Sequence, residues 1–461
     1  MIKFEEILKL RNCVFKNLEK LNSNSFAGLT IDSRNLKKNQ IFLAIKGENF
    51  DGHSFIEEVF KKGASIAIIN KIWFNKNKSK VKQYPLIIVD DTVKTLGELA
   101  RIHRDNFNLP VICIGGSNGK TTTKDILGWL LKQKYKVLIT QGNYNNHIGV
   151  PLTLLSLNKN HQICLLEVGT NHFNEISYLC EIAQPEYGLV TNIGREHLEF
   201  FKNLKGVAKE EFRLYDYVLR NNGICFANFD DDYIRKYFVN IGKEKYFSYS
   251  YKFRTDLKGK FIGYDKNFYP IIELSSKNKK TSFKINTFGK HSIYNSISAA
   301  AVGIYFGLSL KEIKKAFESY KPVHNMRMDV INKNGIIYIN DAYNSNPDSL
   351  KLGLESLKEF STSGKKHIIL SDMLEMGEAS KNEHIKIGKL IQKLKFENLY
   401  TIGNDAFYFS KGASNLKNNF YFHNIDDMAK FLRKVIKTGD VVYLKGSRGM
   451  KLENLLNKLI N

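Results

Sequence analysis

The stretch VICIGGSNGKTTTKDILGWLL at 111–131 limits the fold of this chain more than any other. An apolar, strand-like run stops at glycines, and a helical pattern begins at a lysine followed by three threonines. An anion site of the phosphate-loop kind needs a strand that ends, unobstructed backbone N–H groups and a helix N-terminus behind them. The usual pattern G-x-x-x-x-G-K-[ST] asks for glycine five places before Gly119, and Ile114 stands there. The spacing fails, yet every mechanical part is present. Gly115, Gly116, Ser117, Asn118 and Gly119 obstruct little, Lys120 can reach the β- and γ-phosphates, and the Thr121 hydroxyl can ligate Mg²⁺, with Thr122 next in the same turn. The stretch reads as a nucleotide site.

Around it, strand-like and helical segments alternate. TVKTLGELARIHRDNF (92–107) is helical and amphipathic. KVLIT, a helix near 150–157, ICLLEV, a helix near 174–182 and YGLVTN then follow in turn. Such alternation is the signature of a parallel sheet wound by helices. Residues 1–90 mix short β-like runs (IFLAI, SIAIIN, PLIIVD) with helical patches, and the lysine-rich KNKSKVKQ at 76–83 reads as a loop. From 223 to 290 the short alternating runs suggest an antiparallel flap on the second domain, followed by helices at 292–306 and 310–319. KPVHNMRM (321–328) opens a further unit in which GIIYIND, KHIILSD, NLYTIG and VVYLKG alternate with helices. The expected class is α/β with three domains. These are a small α/β domain over 1–90, a central phosphate-loop domain with a helix-wound parallel sheet over 91–321, and a Rossmann-like α/β domain over 322–461. A chain of 461 residues exceeds what one hydrophobic core supports.

The net charge of +24 invites a nucleic-acid reading. The Lys and Arg residues are spread along the chain, however, and no zinc-finger, RNP or basic-zipper spacing occurs. A solvated basic surface is the expectation, with no nucleic-acid partner. Five cysteines without a C-x-x-C pair, three of them in apolar runs, point to a reducing compartment. MIKFEEILKL lacks a signal-peptide core, and the longest apolar stretch, AAAVGIYFGLSL, is too short for a bilayer span. The expectation is a cytoplasmic protein with no membrane partner.

Glu167 closes the strand ICLLE, and His197 follows the strand YGLVTN. Both fall beyond the carboxyl ends of strands in the same sheet as the loop, where open α/β sheets bind ligands. A carboxylate there can hold a metal that bridges phosphates.

GGSNGKTTTKD, GNYNNHIGVPLTLL (142–155), LLEVGTNHFNEI (165–176), NIGREHLEFFKNLKGVAKEE (192–211), GKHSIYNSISAAAV (289–302), NDAYNSNPDSL (340–350), SDMLEMGE (371–378) and LKGSRGM (444–450) together resemble the Mur ligases. DSRNLKKNQIFLAIKGENFDGHSF (32–55) is similar to their UDP-binding segment. The doubled asparagines, HLE after NIG, and DMLEMG resemble the members that join D-alanyl-D-alanine to UDP-N-acetylmuramoyl-tripeptide in peptidoglycan precursor synthesis. The resemblance implies an ATP-dependent, ADP-forming amide ligase with those two substrates, acting as a monomer with ATP and two Mg²⁺ ions.

By the same resemblance, Lys120 and the loop glycines hold the ATP phosphates. Thr121 and Glu167 ligate one Mg²⁺, and Glu167 and His197 share a second with Lys209 as a carbamate. Asn295 contacts the adenine, Arg327 and Asp341 hold ribose and phosphates, and Tyr343 lies against the base. Asn143 and Asn146 line the phosphate and acyl site, while Ser33, Arg34 and Lys46 bind the UDP end. Four positions depart from the family pattern: Phe200 and Ser371 in place of glycine, Ser292 in place of asparagine, and Glu211 in place of the second lysine of A-K-x-K. A ligase of the branch that adds the third peptide residue, a folylpolyglutamate synthase-like ligase and, more distantly, a nucleic-acid-stimulated ATPase remain as alternatives.

Overall fold

The computed structural model describes residues 1–21, 23–265, 268–322 and 326–460; Val323–Asn325 of the KPVHNMRM segment lie outside the described residues. Three larger sheets organise the chain. The first has five strands, in the order Cys13–Lys16, Leu86–Val89, Ile66–Asn70, Ile41–Leu43, Leu29–Thr30. All its pairings except the first are parallel. The strands Ile66–Asn70 and Leu86–Val89 are buried almost throughout, as expected of parallel strands covered on both faces.

KNKSKVKQ is not a loop. It lies largely in the helix Lys71–Val81, capped by the Asn70 side chain, which accepts the Ile72 and Trp73 N–H groups at 2.8 and 3.3 Å. Phe74 and Val81, seven residues apart, are buried on one face, and Lys76, Lys78 and Lys80 stand in solvent. Lysine is a good helix former, and two apolar anchors a heptad apart suffice to seat the helix.

The second sheet has nine strands. From one edge they run Lys279–Lys284, Pro270–Ser276, Leu257–Tyr264, Tyr246–Ser250, Ile224–Asn228, Tyr187–Val190, Val111–Gly115, Ile163–Glu167 and Val137–Ile139. The strand Val111–Gly115 is parallel to both neighbours, and the registers Glu167↔Ile114 and Val190↔Gly115 align three strand ends. The chain crosses to either side of this strand, which makes its carboxyl end a topological switch point.

The antiparallel character expected of 223–290 is confined to Leu257–Lys284, and those strands are built into the central sheet. Ile224–Asn228 and Tyr246–Ser250 continue the parallel sheet, and the antiparallel part, Leu257–Lys284, is its edge. Ile272 and Leu274 on one strand and Phe283 on the next point inward at period two and share a core with helix Lys290–Tyr305. That burial stabilises the segment as part of the sheet.

The third sheet runs Asp329–Lys333, Ile336–Asp341, Val441–Lys445, Lys366–Ser371, Asn398–Ile402, Asn418–Phe422. Only the first pair is antiparallel. Helices lie on both faces, with separate apolar clusters either side of the sheet.

Candidate active site

Ile114 is fully buried within its strand, so no glycine is needed there. Glycine is needed one and two places later. A Cβ on Gly115 would stand 2.7 Å from Glu211 Oε2, and Gly116 adopts φ +109° where a Cβ would collide with Thr191. Gly119 (φ +84°) caps the helix Lys120–Leu131 and lies against the Asn295 side chain. This explains the displaced glycine spacing.

The loop amides are not all free. Gly116 N–H donates to Glu211 Oε2 at 2.6 Å, Ser117 N–H to the Asn192 carbonyl at 2.9 Å, and Asn118 N–H to Asn192 Oδ1 at 3.2 Å. The groups left to meet an anion are those of the first helical turn, which have no intrahelical acceptor and sit at the positive end of the helix dipole. Lys120 folds back onto the Gly116 carbonyl, 3.6 Å from Glu196 Oε2. Burial opposes its charge, but Glu196, Glu211 and Glu167 together raise its pKa.

Behind the loop, Glu167 is 1% exposed. Its Oε1 accepts the Thr121 hydroxyl at 3.1 Å and Asn145 Nδ2 at 2.9 Å. Its Oε2 carries no hydrogen bond among the described residues and faces Lys124 Nζ at 3.6 Å. A hydroxyl beside a buried carboxylate with a free oxygen is a hard oxygen donor set, and it fits Mg²⁺.

His197 occupies a left-handed conformation (φ +46°) and its Nδ1 lies 2.7 Å from Glu375 Oε2 in the third domain. Burial lowers the pKa of the imidazole; Glu375 and Glu196 outweigh it, so the net shift is upward.

The third domain is seated against the loop. Arg195 pairs with Asp348 at 2.7 Å and Glu383 at 3.0 Å, and Asn346 Nδ2 donates to Asn118 Oδ1 at 2.8 Å. Between the domains is a cavity of about 440 Å³. One wall is Ser117–Thr122 with Glu167, Glu196 and His197, and a second is Asn143, Asn145 and Asn146. The rest of the lining is His291, Ser292 and Asn295 from the central domain, Asn295 lying against Gly119, with Arg327, Asp341, Tyr343 and Lys445 from the third. Register pairs Asp341 with Lys445 on adjacent strands, and the ammonium sits 2.6 Å from Asp341 Oδ2. The Arg327 guanidinium stacks over the Tyr343 ring at 3.9 Å. Burial pushes the His291 imidazole down to about 4, with Asp341 raising it and Lys445 lowering it.

A second cavity of about 360 Å³ shares Asn146, His147, Gly169 and Glu175 with the first. It extends toward Asp91, Val93 and Lys94 at the start of helix Thr92–Arg104, with Phe173 and Tyr178 as apolar walls.

Three family models match the chain in order: the Mur ligase family catalytic domain over 25–104, the Mur ligase middle domain over 114–303, and the Mur ligase glutamate ligase domain over 326–448. A Bacillus subtilis UDP-N-acetylmuramoyl-tripeptide–D-alanyl-D-alanine ligase is 32% identical, covering 94% of this chain and 93% of that one. This chain belongs to the Mur ligase family. A ligase of the same name from Buchnera aphidicola is 33% identical over 96% and 94% of the two chains. Crystal structures of MurF from Acinetobacter baumannii (TM-score 0.83, 29% identity, covering 94% and 93%) and from Thermotoga maritima in complex with ADP (0.82, 28%, 94% and 96%) share the architecture.

Of the positions singled out from the sequence of this Mur ligase, Ser117, Asn118 and Thr122 line the interdomain cavity, and Gly116 lies outside both cavities. Gly119, Lys120, Thr121, Asn143, Asn146, Glu167, His197, Asn295, Arg327, Asp341 and Tyr343 line the interdomain cavity as well. Lys209 is not among the lining residues; its ammonium lies over the Phe173 ring at 5.9 Å. Among the described residues no cluster of three or more His, Cys, Asp or Glu side chains is arranged to hold a metal. Ser33, Arg34 and Lys46 are in neither cavity. They follow the strands Leu29–Thr30 and Ile41–Leu43, at the carboxyl end of the first sheet. Arg34 is exposed and grips Asp32 through two contacts of 2.9 Å, and these bonds hold the Asp32 carboxyl down at about 2. The Ser33 carbonyl accepts Lys62 Nζ at 2.9 Å, and the Lys46 backbone forms an antiparallel β-bridge with that of Asp51.

Sequence reading missed Glu196, Lys124, Asn145, His291, Glu375, Lys445 and the contacts of Glu211. All lie inside or beside the motif strings, but nothing in a string says which member faces the cavity. Of the departures, Phe200 packs on His172 with ring centroids 4.2 Å apart, and the Ser292 hydroxyl donates to the Gly289 carbonyl at 2.6 Å. Ser371 is buried with no hydrogen-bond partner for its hydroxyl among the described residues.

Proposed function

We propose that this Mur ligase joins D-alanyl-D-alanine to UDP-N-acetylmuramoyl-tripeptide at the expense of ATP, releasing ADP and phosphate. The observation that carries the reading is the interdomain cavity, which a helix N-terminus with Lys120 and Glu167 lines together with Arg327, Asp341 and Tyr343. Relatives that match nearly the whole chain bear the name of that activity.

Amide formation from a carboxylate needs activation, because the carboxylate is a poor electrophile. Transfer of the γ-phosphoryl group to the terminal carboxylate of the tripeptide gives an acyl phosphate. The amine of the dipeptide attacks the carbonyl and expels phosphate. The protein must first bring together two anions, and fixed positive groups in a water-poor site do this well. Lys120 swings from the Gly116 carbonyl to the β- and γ-phosphates, and the first-turn N–H groups receive the remaining phosphate oxygens. Asn143 and Asn146 orient the acyl end. Asn295 and Tyr343 hold the base, while Arg327 and Asp341 hold ribose and phosphates. Ser33, Arg34 and Lys46 bind the UDP moiety, and the second cavity is the route by which the peptide spans from that domain to the loop. The enzyme works as a monomer.

Thr121 and Glu167 are the residues that would hold Mg²⁺, whose chemistry is to neutralise phosphate charge during transfer. A second ion would require Lys209, as a carbamate, to leave Phe173 and join Glu167 and His197. Lys209→Ala tests this: a large loss of turnover recovered by added short-chain carboxylates supports the carbamate, and unaffected turnover refutes it.

The reading as a whole is tested by phosphate release with Mg²⁺ and ATP, omitting UDP-muramoyl-tripeptide and D-alanyl-D-alanine in turn. Release that needs both, with a UDP-muramoyl-pentapeptide as product, is the expected result. Release that needs a shorter UDP-peptide and a single amino acid instead would move the chain to another branch of the family.

A further inference from the structure

Burial of a carboxylate is unfavourable unless hydrogen bonds or an opposite charge offset the lost hydration. Glu211, on helix Leu204–Arg220, is 0% exposed directly behind the phosphate loop. Its Oε2 accepts the Gly116 N–H at 2.6 Å, and its Oε1 has no hydrogen-bond partner among the described residues. The other end of the same peptide unit is also pinned, because the Gly115 carbonyl accepts the Thr191 N–H at 3.1 Å and the Thr191 hydroxyl at 3.3 Å. The next carbonyl, that of Gly116, receives the Lys120 ammonium. One peptide plane is thus clamped between Glu211 and Thr191, and the Lys120 ammonium is held on the carbonyl that follows it.

Gly116 sits at φ +109°, in a region that glycine leaves readily because it has no Cβ to confine it. A peptide between two glycines is free to rotate unless both its polar ends are held. Gly115 lacks the Cβ that would collide with Glu211 Oε2, so the carboxylate can approach closely. Glu196, Glu167 and Glu211 also counter the charge of the buried lysine.

We propose that Glu211 is a positioning residue for the phosphate loop, orienting the Gly115–Gly116 peptide so that Lys120 and the first turn of helix Lys120–Leu131 converge on one anion. The inference rests on the nucleotide-binding reading above. It assigns Glu211 no contact with substrate: the residue acts through the loop it holds. A glutamine at this position keeps an acceptor oxygen for the Gly116 N–H. Aspartate withdraws the acceptor by one methylene, and alanine removes it.

The test is calorimetric binding of ADP with Mg²⁺ to the full chain, without UDP-peptide or dipeptide, for the parent and for Glu211→Gln, Glu211→Asp and Glu211→Ala. Steady-state KM values for ATP and for D-alanyl-D-alanine are measured alongside. Glu211→Gln is expected to bind ADP within about threefold of the parent, whereas Glu211→Asp and Glu211→Ala weaken it by about tenfold or more, the scale of a hydrogen bond to a charged group. The KM for ATP rises in step, and the KM for the dipeptide stays unchanged. A purely structural role would shift all constants together and would not be rescued by glutamine. Equal ADP affinity in the parent and in a folded Asp or Ala variant overturns the inference; if the alanine variant does not fold, the aspartate variant decides. A glutamine variant as weak as the aspartate one also overturns it. A parent that binds no ADP overturns the nucleotide reading itself, which separates the two failures.

Discussion

The phosphate-loop end of the central sheet and the carboxyl end of the N-terminal sheet are both proposed to bind phosphate-bearing groups, yet they are built differently. At the loop, Lys120, Lys124, Glu167, Glu196 and Glu211 are buried or nearly so, and they lie within one cross-braced network. At the N-terminal sheet, Arg34 has a side chain 85% exposed and is paired with the single carboxylate of Asp32. The contrast follows from the task proposed for each. Charge that develops during phosphoryl transfer is best met by groups fixed in advance in a low dielectric. Recognition of a nucleotide tail tolerates solvent, and an exposed ion pair contributes little to stability.

The comparison fails if Lys120 is dispensable. Lys120→Met is expected to cut turnover by about 10³-fold with the fold intact, as removal of a charged transition-state donor does; the assay is phosphate release with all substrates present. Glu167→Gln is the next largest effect. It keeps shape and hydrogen bonds to Thr121 and Asn145 but not the charge, so turnover should fall about 10²-fold, with a steeper requirement for added Mg²⁺.

Arg34→Ala sharpens the contrast from the other side. The KM for the UDP substrate should rise about tenfold while kcat and the KM for ATP hold, the sign of uniform binding lost at a distance from the chemistry. A fall in kcat instead would show that the two ends are not separable.

Asp348→Ala strips Arg195 of one of its two carboxylate partners across the domain boundary. We expect the KM for ATP to rise a few-fold, since the third domain supplies part of the cavity lining and a pair whose side chains are about a third exposed is partly screened by solvent. An unchanged KM would mean that the walls hold without this pair.

The smallest effect concerns His291. Its folded pKa lies near 4, below the ordinary 6.5, so the unfolded chain binds the proton more readily. The neutral imidazole therefore costs no stability above about 6.5, and stability falls as pH drops from there toward 4. In His291→Gln the urea midpoint should decline less steeply across that window; an unchanged slope would remove His291 as a cause.

Much of the architecture was legible because it rests on local periodicity. The runs VICI, ICLLE and YGLV announce parallel strands, and the helices at 292–306 and 310–319 appear as Lys290–Tyr305 and Leu310–Ser319. The readings that failed were those in which composition stood in for packing. The lysines of 76–83 suggested a loop because their charge hides two buried anchors, Phe74 and Val81. The alternating runs after 223 suggested a flap because alternation alone does not reveal that Leu257–Tyr264 pairs with Tyr246–Ser250 of the central sheet.

By itself the sequence determined the α/β class, the strand–glycine–helix turn despite Ile114, and the acid at the end of ICLLE, since each depends on residues adjacent in the chain. Only the tertiary structure decided what those residues face. Glu211 against Gly116, Glu375 against His197, Asp348 against Arg195 and Asn346 against Asn118 join residues 75 or more positions apart. The physical reason is that a buried charge is settled by whatever partner the fold brings within about 3 Å. Chain neighbours rarely supply that partner.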